Sequence, residues 1–356
     1  MKKRTSGNTE EKVPVSMEEM QRRLDAFDRI TVTHDRMEDI EKQTLRLISQ
    51  TKAVIASNEA RIGAAKGRQV KPDELWVLPI IGPSGSTKSK SIQKVVDNIL
   101  TDPNLPDDDV PILMVTVRNS SRSPRLLQAQ ILEAYKDASA ETVRRSRGDY
   151  SEAAVNEDIR RIARARRTSV IVLDEAHSML VHGGEGVARI MATSVKSLVN
   201  DAVFSVVILG TDDVYPLFKI SPELRSRCKE TVNLGKLKIG IREDRDYFFK
   251  FAGFLEQEMR KKKVIDESVG LIDSVENRAL VYDMADGVIG IISRVCRLAL
   301  ERALNADRRA ITWKDIEASF QGWNAAQEEQ GYDPFGSDGV RDKTLAACRE
   351  DEEETV

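Results

Sequence analysis

The stretch 76–91, WVLPIIGPSGSTKSKS, limits the possible folds more than any other part of the chain. An apolar run at 76–81 stops at Gly82. The turn Pro83, Ser84, Gly85, Ser86, Thr87 then leads into a helical pattern that opens with Lys88, Ser89 and Lys90. A strand, a small-residue turn and a helix in that order gather backbone N–H groups and a helix N-terminus around one point, where they attract phosphate. Gly82, Lys88 and Ser89 occupy Walker A positions, with Gly85 adding freedom inside the turn. Lys88 is placed to neutralise β- and γ-phosphate charge, and Ser89 to offer its hydroxyl to Mg²⁺. Thr87 stands where a glycine usually precedes the lysine. Its β-branch restricts the local backbone, so the loop must adopt a conformation that tolerates it or bind less tightly.

The rest of the chain repeats the strand–helix alternation. Apolar runs at 76–81, 111–117, 169–173 and 204–209, with a weaker one at 231–234, are continuous rather than alternating. Such runs fit strands buried on both faces of a parallel sheet. Helical patterns at 89–100, 124–136, 152–166 and 187–200 lie between them, which predicts an α/β fold with a parallel five-stranded sheet between helices. A helix is expected within 30–58, where Met37, Ile40, Thr44, Leu47 and Ile48 share one face, followed by a basic connector at 63–72. After Leu237 the pattern turns helical, at 247–262, 277–285, 291–304 and 313–320. The expected organisation is a polar N-terminal arm (1–29), the α/β nucleotide-binding domain (30–240), a small helical lid domain (241–322) and a disordered acidic C-terminal tail (323–356).

Three further segments carry chemistry in chain order. SVIVLDEAH is an apolar strand ending in two carboxylates. Asp174 suits a Walker B role, holding Mg²⁺ through water, and Glu175 suits a general base that orients the attacking water. The alternative is a strand followed by an acidic helix cap. FSVVILGTDD places Thr211 where a sensor of the γ-phosphate would stand, although Gly210-Thr211-Asp212 also reads as an ordinary turn. Arg225 and Arg227 lie near the end of a short helix before the last strand, a place from which an arginine reaches a neighbouring subunit's γ-phosphate or serves as surface charge. Arg294 supplies either a second sensor from the helical domain or a solvated helix face.

Walker A, an Asp-Glu Walker B, a GT sensor, paired arginines and a helical lid together resemble AAA+ P-loop NTPases. ITVTHDRMEDIEKQTLRLI, VVILGTDDVYPLFKISPELRSRCKETVNLGKL and ADGVIGIISRVCRLALERALNADRRAITWKDIEASF are similar to segments of the TniB/TnsC (MuB-like) transposition regulators, over residues 30–322. The resemblance implies ATP and Mg²⁺ as ligands and slow, partner-stimulated ATP hydrolysis. It also implies self-assembly as a ring or helical filament on double-stranded DNA, and recruitment of a transposase and target-selection adaptor proteins, with the N- and C-terminal arms as their contacts. It places the loop after the second strand, TVRNSSRSPRLL, on the DNA-facing side, with Arg118, Asn119, Arg122 and Arg125 as the expected phosphate contacts.

Bulk properties bound these expectations. Net charge is −3, so DNA contact needs a local basic patch rather than a polycationic surface. Arg144, Arg145 and Arg147, then Arg160, Arg161, Arg164, Arg166 and Arg167, form a second basic cluster, part of which reads as a helix face paired with Glu152, Glu157 and Asp158. Aromatic residues are 5% of the chain, too few for a platform that stacks single-stranded bases. Cys228, Cys296 and Cys348 form no CxxC pair, and His34, His177 and His182 show no zinc spacing, so reduced thiols in a cytoplasmic protein are expected. No signal peptide and no membrane span are expected. An origin-binding or helicase-loader ATPase is the alternative function, but the polar stretch after Trp323 is short for a winged-helix domain. A protein-remodelling motor is a weaker alternative, because RNSSRSP is basic where a pore loop would be aromatic.

Overall fold

The computed structural model describes residues 14–66, 68–118, 123–135, 151–181, 183–200, 202–325, 332–337 and 339–353. The five apolar runs become five strands: β1 (Val77–Ile81), β2 (Ile112–Thr116), β3 (Val170–Asp174), β4 (Ser205–Gly210) and β5 (Val232–Asn233). They form one parallel sheet in the order β2-β3-β4-β1-β5. Every residue of β1, β3 and β4 is buried. That burial is the physical reason their sequences are continuously apolar rather than alternating.

The helices of this unit are α2 (Asp35–Ala64), α3 (Lys88–Leu100), α4 (Pro124–Ala134), α5 (Glu152–Ala165), α6 (Gly184–Asn200), α7 (Tyr215–Ile220) and α8 (Pro222–Arg225). One apolar cluster joins Ile40, Leu47 and Ile48 of α2 and Ile92 and Val96 of α3 to Leu78, Ile80, Val172 and Val207 of the sheet. The other joins α4, α5 and α6 to Val77, Ile171, Leu173 and Val206. The result is the three-layer α/β architecture. Thr51 on α2 is also hydrogen-bonded to Ser205 on β4, oxygen to oxygen at 2.6 Å. Register sets the site: Ile81 lies beside Gly210, and Thr116 beside Asp174. The C-terminal ends of β1, β2, β3 and β4 therefore come level along one edge of the sheet. Ligands of open α/β sheets bind at that edge.

Residues His34–Gly235 form this compact unit, and the described residues of Met1–Thr33 and Lys236–Val356 form a second one. The second is helical: α1 (Met17–Asp28), α9 (Arg242–Lys261), α10 (Val275–Ala285), α11 (Ile289–Asn305), α12 (Trp313–Asn324) and α13 (Asp342–Glu353). Gly287 has φ +75, and a Cβ there would lie 2.1 Å from the Leu237 carbonyl oxygen, so only glycine fits that turn.

Two sequence expectations change here. The described part of the N-terminal arm is not free. Leu24 and Phe27 of α1 are in the helical core, Glu19 pairs with Arg309 at 2.8 Å, and Arg297 pairs with Asp28 at 2.8 Å. The described part of the expected disordered tail is also folded. The buried Asp283 carboxylate accepts hydrogen bonds from the Tyr332 hydroxyl (2.6 Å), the Arg341 amide (2.7 Å) and the Thr344 hydroxyl (2.7 Å). Ala347 and Cys348 of α13 are buried beside them. Acidic composition alone does not keep a segment unfolded when a buried anion and an apolar stripe hold it. Residues 326–331 and 354–356 lie outside the described part. Among the described residues no helix is long and apolar enough to cross a membrane.

Candidate functional site

The edge defined by β1, β3 and β4 collects the predicted residues of the α/β unit. After β1 the chain turns at Gly82, whose N–H donates to the Gly210 carbonyl at 3.1 Å. A Cβ on Gly82 would sit 2.8 Å from the Leu234 Cβ and carbonyl oxygen and from the Ser86 hydroxyl. The loop can therefore cross here only as glycine. Gly85 has φ +82. Pro83, Ser84 and Lys90 border the loop, with Ser84 and Lys90 exposed.

Thr87 takes the left-handed conformation, φ +66 and ψ +8, immediately before α3. This resolves the question its sequence position raised: the threonine adopts the glycine-like geometry rather than altering the loop. For a side chain with a Cβ that costs about 1–2 kcal/mol. The structure holds it from two sides. Its carbonyl accepts the Ser91 amide and the Ser91 hydroxyl, each at 2.9 Å, and its Oγ1 is 3.3 Å from His34 Nε2.

Lys88 is buried, and its ammonium donates to the Gly82 carbonyl (2.7 Å), the Pro83 carbonyl (2.9 Å) and the Ser86 hydroxyl (3.3 Å). Burial pushes its pKa down, and the nearby carboxylates of Glu175, Asp174 and Asp212 oppose that shift. The ammonium thus lies inside the cradle with its charge on the loop's own carbonyls. A phosphate oxygen is the stronger acceptor to which it could turn.

Ser89 and Asp174, the two residues assigned to Mg²⁺ from sequence, lie together. The Ser89 hydroxyl donates to Asp174 Oδ1 at 2.8 Å, across 85 positions of sequence. Asp174 Oδ1 also accepts the Glu175 amide at 2.9 Å. A hydroxyl and a carboxylate this close are oxygen donors of the kind that Mg²⁺ takes. Glu175 is left-handed, φ +56, and leads into a 3₁₀ turn, Ala176–Met179. Its Oε2 lies 3.3 Å from His177 Nε2.

Other predicted residues divide. Thr211 follows β4 at the same edge, and its hydroxyl donates to Asp213 Oδ2 at 2.9 Å, the contact of an ordinary turn. Arg225 is exposed at the end of α8. Arg227 is drawn inward instead: its side chain is 12% exposed and it pairs with Glu74 at 2.9 Å. Arg118, just after β2, is exposed, and its guanidinium lies 3.5 Å from the Glu133 carboxylate. Arg125 is half-buried on α4. Asn119 and Arg122 lie outside the described residues, as do Arg144, Arg145 and Arg147. Arg160, Arg161, Arg164, Arg166 and Arg167 are each paired, with Glu157, Asp158, Glu157, Asp108 and Asp109 in turn. That cluster is a compensated surface. Arg294 belongs to the helical unit, where its guanidinium lies 5.9 Å from the Trp323 ring.

Sequence reasoning missed His34, His177 and Glu74. Each acts through a partner, two of them far away in sequence. A local signal existed for His34 alone: a polar residue followed by Asp-Arg-Met-Glu at the start of an apolar-periodic run marks a helix cap.

Residues 60–236 match the family model described as the bacterial TniB protein. No curated protein matches the sequence. Among solved structures, the Aeropyrum pernix ORC1 protein in complex with DNA is similar with a TM-score of 0.53 and 15% identity. That match covers 85% of this chain and 69% of that one. The Aeropyrum pernix ORC2 protein, solved as ADPNP-ADP complexes, is similar with a TM-score of 0.51 and 12% identity, covering 79% and 68%. Both likenesses establish the AAA+ fold.

Proposed function

For a chain that belongs to the TniB family over residues 60–236, we propose the role of an ATP-dependent, DNA-binding AAA+ regulator of DNA transposition. It assembles as a ring or filament on double-stranded DNA and recruits or activates a transposase there. One observation carries the reading: Lys88, the Ser89–Asp174 pair and Glu175 converge at one sheet edge inside the matched segment.

Gly82 to Ser89 cradle the phosphates of ATP, with Lys90 at the rim. Lys88 exchanges its carbonyl partners for phosphate oxygens, and Ser89 and Asp174 are the residues that would hold Mg²⁺. The ion supplies charge neutralisation at the phosphates. Glu175 orients the attacking water once it swings from His177, and Thr211 reports the γ-phosphate. Of the two candidate arginines, Arg225 is the exposed one, which supports it as the residue that acts on a neighbouring subunit, whereas Arg227 pairs with Glu74. Arg118, with Asn119, Arg122 and Arg125, contacts DNA phosphates. The transposase and its adaptors meet the N- and C-terminal segments, whose described parts include α1 and α13.

The test is binding to duplex DNA with ATP or ADP present. Lys88→Ala is expected to abolish the ATP dependence, and undiminished ATP-dependent binding would sink the switch mechanism. Glu175→Gln is expected to bind ATP, stop hydrolysis and persist on DNA.

An origin-binding or loader role is the second reading, favoured by the fold likeness to the two Aeropyrum pernix proteins. Stimulation of hydrolysis by a transposase supports the first reading, and stimulation by a replicative helicase supports the second.

A further inference from the structure

We propose that His34 is a positioning residue of the phosphate loop: its Nε2–H donates to the Thr87 hydroxyl and holds that residue in its left-handed conformation. The inference rests on the nucleotide reading above and adds a residue outside the loop to it.

The ring's other nitrogen sets the tautomer. His34 is the N-cap of α2, and its Nδ1 accepts the Met37 amide at 3.1 Å. A nitrogen that accepts an N–H carries no proton of its own. The neutral ring must therefore carry its proton on Nε2, the atom 3.3 Å from Thr87 Oγ1. The donor direction thus follows from the helix cap. Burial keeps the ring neutral, with its pKa lowered to about 4.

The partner is equally specific. Thr87 is the only non-glycine residue of 82–89 with positive φ. A glycine there would relieve the strain but would have no hydroxyl for the histidine to hold. Threonine exchanges backbone freedom for a fixed attachment. The attachment runs to α2, which spans 30 residues and is itself fastened to β4 through Thr51 and Ser205. The peptides of Thr87 and Lys88 are thereby oriented before any phosphate arrives, which lowers the ordering cost of binding.

A double-mutant cycle on the full chain tests this, reading affinity for a fluorescent ATP analogue and the separate kcat and KM of hydrolysis. His34→Asn keeps an N-cap acceptor for Met37 but removes the Nε2 donor. It is expected to weaken nucleotide affinity and raise KM about three- to tenfold, with little change in kcat. In a Thr87→Gly background the same change is expected to have no effect. Equal losses in both backgrounds, or no loss in the wild type, would overturn the proposal. Thr87→Val keeps the shape without the hydroxyl and leaves the helix cap untouched. It should reproduce the loss, and wild-type affinity in that variant would also refute the bond. Nitrogen NMR of the nucleotide-free protein reads the His34 tautomer directly, with Nε2–H expected and Nδ1–H contrary. If the wild-type protein binds no ATP, the nucleotide reading falls, while the tautomer measurement still decides the His34–Thr87 bond.

Discussion

Thr87 and His34 show how one residue's chemistry depends on a partner far away in sequence. The neutral ring of His34 caps α2, and a protonated ring cannot accept the Met37 amide. Its pKa falls from 6.5 in the free side chain to about 4 here, through burial first, then Arg36 and Lys94 against the opposing Asp35. A base whose pKa is lowered by folding contributes stability above the unfolded value and loses it as pH falls toward the folded one. The loss attributable to His34 therefore falls between pH 6.5 and about 4. Melting temperatures at pH 7 and pH 5 should show a larger drop in the wild type than in His34→Asn; equal drops would contradict the assignment. At this scale much of the site could be read from sequence. Lys88, Ser89, Asp174 and Glu175 sit in short patterns whose spacing carries meaning. His177 and Glu74 could not be read that way, because a lone histidine or glutamate carries no pattern, and the helix-cap signal of His34 gives no hint of its partner Thr87.

The same division holds for whole elements. β1, β3 and β4 were legible because burial on both faces demands unbroken apolar runs. α1 and α13 were not, because most of their surface is polar and their few buried groups answer to distant contacts. Asp283 makes this concrete. Its carboxylate is fully desolvated and binds three donors from the segment 332–344. Asp283→Ala takes that acceptor from the Arg341 amide and the Thr344 hydroxyl, while the Tyr332 hydroxyl keeps the Gly339 carbonyl at 2.9 Å, and should cost about 3 kcal/mol of stability to denaturant. It should also loosen α13. Native protein is expected to offer a thiol reagent only the half-buried Cys228, whereas the variant should expose Cys348 as a second reactive thiol. Unchanged reactivity would show that α13 is held by something other than Asp283.

Across the whole molecule, charge is nearly balanced and most of the arginines on α5 are already paired. An exposed arginine–carboxylate pair contributes little, so the long Arg118–Glu133 contact yields readily to phosphate. Changing Arg118 and Arg122 together to alanine should weaken DNA binding to the same degree for every sequence tested. It should also reduce the slope of log affinity against log salt by about 0.9 for each phosphate left without its arginine. A decrease that depends on base sequence would mean these residues read bases rather than phosphates. The basic loop after β2 was legible as a candidate. The pairing of the later cluster was only partly so, since Asp108 and Asp109 come from a separate turn.

The division of the chain at His34 and Gly235 also carries a consequence for its birth on the ribosome. The nucleotide unit is one uninterrupted stretch and can fold as soon as it emerges, whereas the helical unit is split around it. α1 is made first yet must wait for α9 and α11, and Asp283 must wait for Tyr332, Arg341 and Thr344. A nascent chain therefore passes through a period in which a finished nucleotide unit is tethered to an open apolar core. In that interval the exposed apolar surface makes the chain prone to aggregation, whatever the stability of the finished fold.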